Sequence, residues 1–258
     1  TTSVTWTLGQ AVGSNGLRVE VAGPTQPFTQ DFAVQGLVGD AVRPVTTTGD
    51  GQTGTVGQPL AAPLTILVTD QFGNPRAGED VSWSDGASTT TVPTDASGIS
   101  SYSWTLGTVA VPQSATATVG SFTPVSFTAT ANPGAPANLA SSGAGGTYPV
   151  GSTVSDLQVT ATDAFGNPVP GDAVSWVVTG GGGSIAGDPT TDATGTATAG
   201  WTLGSIPGLN TATATVGTLT ADFSATGQCF AGFGVAQVDG TLDPAEWACA
   251  SSFDFDAN

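Results

Sequence analysis

Along much of the chain apolar and polar residues alternate one for one. Leu64, Ile66 and Val68 are interleaved with Thr65, Leu67 and Thr69, and Leu157, Val159 and Ala161 with Gln158, Thr160 and Thr162. The runs Ala115–Val119 and Thr211–Val216 alternate strictly between Ala or Val and Thr. A period of two puts one set of side chains on each face of a strand, so these segments predict half-buried β-strands and not helices. Phe72-Gly-Asn-Pro75 and Phe165-Gly-Asn-Pro168 interrupt the pattern as turns. Their glycines supply positive φ, and their prolines fix the next φ and end the ladder. Gly180–Gly183 reads as a flexible loop tip.

The pattern recurs. Trp-Thr-Leu-Gly begins at Trp6, Trp104 and Trp201, 98 and 97 residues apart. Thr-Asp-x-Phe-Gly-Asn-Pro begins at Thr69 and Thr162. A Val-Ser-Trp follows each, ending at Trp83 and Trp176. Thr-Asp-Ala-x-Gly occupies 94–98 and 191–195. Several motifs in one order at one period define a tandem repeat. About seven short strands per ~95 residues, with turns every 8–12, predicts an all-β chain of tandem immunoglobulin-like sandwiches. Trp83 with Trp104, and Trp176 with Trp201, are the expected core anchors, and Trp6 holds the matching place in an incomplete first repeat. Exposed indoles stacking on sugar are the alternative.

This motif order resembles the bacterial Ig-like repeats of the invasin and intimin type, over about residues 39–228 and the half-repeat at 1–36. The resemblance implies an extracellular stalk on surface adhesins and other exported proteins. It implies no particular ligand, and no binding residue is carried over. The expected organisation is 1–38, the second half of a repeat completed by upstream residues or by another chain; 39–132 and 133–228, two Ig-like domains; and 229–258, a C-terminal segment pinned by a disulfide, or a truncated module. The half-repeat leaves two readings open. One is a piece of a longer protein. The other is a subunit that joins head to tail by β-strand addition.

Composition narrows the chemistry. Three basic residues, Arg18, Arg43 and Arg76, stand against 20 acidic ones, for a formal net charge of −17, with no His. Three arginines make no footprint for nucleic acid. Without His there is no Ser-His-Asp triad and no imidazole metal site. Glu79 and Asp80 are adjacent and face opposite ways on a strand, so no carboxylate pair for glycoside chemistry is expected. The chain reads as non-enzymatic. Apolar runs are too short to span a membrane as a helix. Thr1 follows no signal sequence within the chain, so any export signal was removed or lies outside it.

Cys229 and Cys249 are the only cysteines. They read as one disulfide in an oxidising compartment, with two reduced buried thiols as the alternative. Calcium is the one metal these oxygen-only side chains suit. Asp70 and Asp163 open turns rich in oxygen ligands, and Asp254 and Asp256 copy part of an oxygen-ligand loop. The alternative is Asx-turn capping. Val238–Trp247 resembles the opening hairpin of a family-nine-type carbohydrate-binding module, which makes Trp247 the candidate glycan contact. Expected partners are adjacent domains or other copies, with a surface glycan or host receptor as the rival.

Overall fold

The computed structural model describes residues 5–22 and 26–229. Every regular element in them is a β-strand, and the chain divides into two compact units between Asn132 and Pro133. The described residues 5–22 and 26–38 cluster with the first unit.

The first unit opens with a hairpin of β1 (Gly13–Val21) and β2 (Phe28–Gly36). The sandwich follows: β3 (Val45–Thr48), β4 (Gln52–Thr55), β5 (Leu64–Leu67), β6 (Asp80–Ser84), β7 (Thr89–Pro93), β8 (Ile99–Tyr102), β9 (Pro112–Val119) and β10 (Val125–Asn132). Its sheets are ordered β4-β10-β9-β6-β7 and β3-β5-β8. The core holds Leu64, Ile66 and Val68 from one layer and Val81, Trp83, Ala115, Ala117 and Phe127 from the other. The period-two pattern therefore faces inward as read.

The second unit holds β11 (Asn138–Ser142), β12 (Thr147–Pro149), β13 (Thr153–Thr162), β14 (Val174–Gly180), β15 (Gly183–Gly187), β16 (Thr196–Leu203), β17 (Gly208–Val216) and β18 (Leu219–Gln228). Its sheets are β11-β13-β16-β15 and β12-β18-β17-β14. Leu157, Val159, Trp201, Leu203 and Phe223 fill a separate core. Each unit thus buries its own apolar face, as an Ig-like sandwich must.

The two sandwiches differ in one strand. After Trp83 the chain turns tightly at Asp85, whose Oδ1 accepts the Ala87 and Ser88 N–H groups at 3.0 and 2.7 Å, and β7 returns on the same sheet against β6. After Trp176 the strand is longer. The chain crosses through Gly181–Gly183, all at positive φ, and β15 pairs with β16 in the opposite sheet. Gly180–Gly183, expected as a loose tip, is the crossing itself.

Candidate functional site

The two Thr-Asp-x-Phe-Gly-Asn-Pro turns fold alike. Asp70 is buried, and each of its oxygens accepts two hydrogen bonds. Oδ1 takes the backbone N–H groups of Phe72 and Asn74, and Oδ2 takes the Asn74 Nδ2 amide and the Gly39 N–H, all at 2.9 Å. Asp163 is buried too, with Phe165, Asn167 and Gly134 donating N–H groups at 2.9 Å in the matching places. Burial pushes the Asp70 carboxyl up, but the Asn74 amide and the backbone donors outweigh it and hold it well below the usual carboxylate range. Asp163 is lowered for the same reasons.

This arrangement has the geometry of the capping reading of these aspartates. A carboxylate offers about four lone-pair positions, and all four at Asp70 are occupied by N–H donors. A calcium ion needs 6–8 oxygens and would have to displace them. Among the described residues no three His, Cys, Asp or Glu side chains converge. Asp70 and Asp163 serve as backbone anchors. Each ties the first glycine after a joint, Gly39 or Gly134, to the repeat it enters. Arg76 grips the Gly39 carbonyl as well, while pairing with Glu79. Asn74 donates its side-chain amide to the Gln10 carbonyl at 2.8 Å, linking the turn to the segment ahead of the hairpin. Asp254 and Asp256 lie outside the described residues, as do Cys249 and Trp247. Cys229 is the last described residue and is not a free thiol.

The tryptophans do not all sit alike. Trp83, Trp104 and Trp201 are fully buried, whereas Trp176 packs half-buried on the rim of its core. Trp83 donates its indole N–H to Ser100 Oγ at 3.0 Å, and Ser100 passes a hydroxyl bond to the Val92 carbonyl. The residue equivalent to Ser100 is Ala197, and Trp176 donates instead to the Asp188 carbonyl. Trp6, with its half-repeat, is only half-buried.

The remaining feature is the β1–β2 hairpin. It carries the same internal bonds as the closed repeats. Nine residues after each Trp-Thr-Leu-Gly tryptophan stands a side-chain amide: Asn15, Gln113 and Asn210. Each amide oxygen accepts the N–H of the motif's glycine, Gly9, Gly107 or Gly204. Asn and Gln at one offset was the signal that could have exposed this latch from sequence. On the hairpin's wet face Arg18 and Asp31 form a two-pronged ion pair at 2.7 and 3.0 Å, where β17 and β18 pair Thr213 with Asp222. On the other face Val19, Val21, Phe28, Phe32 and Val34 are exposed.

No family model and no curated protein matches the chain. Solved structures do. The Escherichia coli adhesin FdeC aligns over 83% of this chain and 74% of its own at 17% identity, with a TM-score of 0.51. The Yersinia pseudotuberculosis protein InvD aligns over 68% and 54% at 22%, TM-score 0.43. Domains 4 and 5 of the S-layer protein SbsC align over 45% and 65% at 20%, TM-score 0.35. The chain thus spans less than two thirds of the InvD and SbsC structures it matches. The likeness to FdeC shows the fold: this chain has the tandem Ig-like architecture found in a bacterial adhesin.

Proposed function

We propose that the chain is a non-enzymatic structural element of an exported bacterial protein, a stalk or fibre segment built from tandem Ig-like domains. The observation that carries this reading is the pair of self-contained cores, one per repeat. Because each sandwich buries its own apolar face, length grows with repeat number and each joint is a separate mechanical link. The Asp70 and Asp163 anchors support the reading, since each fixes the chain at the point where it enters a sandwich. The adhesin role of FdeC supports a place on the cell surface, with adjacent domains or a surface receptor as partners. In its finer form, the reading has the N-terminal hairpin completed by strands from outside itself, so that units join through a shared sandwich.

Single-molecule pulling tests the mechanical reading. Two unfolding steps of similar contour length are expected, one per sandwich. A single concerted step would remove the independent-domain picture. Electron microscopy of the purified chain, with and without residues 1–36, tests the assembly.

A further inference from the structure

The hairpin's register identifies its missing neighbour. Leu17 stands opposite Phe32 across β1–β2, as Ala115 stands opposite Phe127 and Ala212 opposite Phe223. In the closed repeats this phenylalanine is covered by the Val-Ser-Trp indole. The Trp83 and Phe127 ring centroids are 5.5 Å apart, and those of Trp176 and Phe223 are 5.9 Å apart. Phe127 is 0% exposed and Phe223 5%, while Phe32 is 49% exposed. The strand edges agree. Trp83 pairs with Ala117 and Val81 with Val119, and Trp176 pairs with Ala214 and Val174 with Val216. The matching positions in β1 are Val19 and Val21. Among the described residues the outer edges of β1 and β2 pair with no other strand.

We propose that this bare face is a docking seat for the first half of a repeat supplied from outside the 258 residues, whose Val-Ser-Trp strand pairs antiparallel with β1 and lays its indole on Phe32. The proposal deepens the tandem-repeat reading and rests on it. Two arguments select this occupant over a second copy. Both Val-Ser-Trp strands of the chain, β6 and β14, are already paired with their own β9 and β17, and residues 230–258 contain no such motif. Stacking two hairpins face to face would also bury too little. Two nine-residue strands present a footprint of roughly 30 by 10 Å, about 300 Å², against ~800 Å² per partner in a standard interface. A half-repeat covers that face and also takes up backbone hydrogen bonds along both edges. The Gly9–Asn15 latch and the Arg18–Asp31 pair leave the hairpin already set for it.

The test grafts the missing half onto the full chain. One variant carries an extra copy of residues 133–200 joined directly ahead of Trp6, and a second carries an extra copy of 39–103 at the same place. Pulling should show a third unfolding step matching the other two. The β1–β2 amides should become protected by at least about tenfold relative to the original chain. Phe32→Ala in the grafted chain should remove the third step and the protection while sparing the other two. If neither graft adds a step or protects the hairpin, the proposal is overturned. It is equally overturned if the original chain sediments as dimers or filaments that Phe32→Asp disperses, because a second copy then occupies the seat. That last result would leave the stalk reading standing. Failure of the two original steps, seen before any graft, would instead remove the stalk reading.

Discussion

Ser100 gives the buried Trp83 indole N–H a hydrogen-bond acceptor inside the core, and its loss should be felt out of proportion to its size. Ser100→Ala strands the indole donor in the core, which costs about 1–3 kcal/mol. Chemical denaturation should show the first unit's transition shifting and the second unit's unmoved. Ala197→Ser, at the equivalent place, should bring no gain, because Trp176 already donates to Asp188. The anchoring aspartates make a second prediction. Their folded-state carboxyls are lowered, so their stabilisation is fully present above the ordinary aspartate value of 3.8 and is lost as pH falls below it. Asp163→Asn should therefore weaken the second unit at about pH 7 and flatten its loss of stability as pH falls below the ordinary aspartate value; an unchanged acid slope would refute this role. The tryptophans and aspartates were visible in the sequence as repeated letters. Their roles were only half legible. A motif cannot say whether a turn carboxylate spends its lone pairs on a cation or on N–H groups, and the Gly39 and Gly134 donors seen here come from 29–31 residues away.

The strand that changes sheets shows the same limit one level up. Alternation located β5, β9, β13 and β17, because inward and outward positions are written into each segment by its period of two. The partner of β7 or β15 is not written there. Both are short and largely exposed, and neither carries a buried stripe that would assign it to a sheet. The connection decides. An Asp85-capped turn folds the chain straight back, and three glycines at positive φ carry it across. This makes Gly183, like Gly181, a crossing position that admits no side chain. Its φ is 87°, and an added Cβ would lie 2.1 Å from the Thr202 carbonyl. Positive φ alone costs a side chain about 1–2 kcal/mol, and the clash adds to it. Gly182 has a similar φ of 78°, yet its nearest neighbour would be 3.9 Å away. Gly183→Ala should therefore destabilise the second unit clearly more than Gly182→Ala, measured by its denaturation midpoint. Equal effects would mean the crossing tolerates movement.

Charge acts on the molecule as a whole. At −17, with only two ion pairs among the described residues, Arg18–Asp31 and Arg76–Glu79, the chain has far more repulsion than attraction to screen. Arg18–Asp31 is solvent-exposed and contributes little. Raising salt shortens the screening length from about 30 Å at 0.01 M to about 3 Å at 1 M, which relieves the repulsion and forfeits almost nothing. The folded state should gain, since compaction crowds the acidic groups more than the open chain does. A gain of ~1 kcal/mol per unit would raise Tm by about 4–8 °C for a domain of this size. Calorimetry in sodium chloride and in tetramethylammonium chloride should show the same rise, because screening depends on ionic strength and not on the cation. A rise that saturates with sub-millimolar calcium would instead reveal a specific ion site. A Tm that falls with salt would mean that attraction, not repulsion, dominates the surface of these acidic sandwiches.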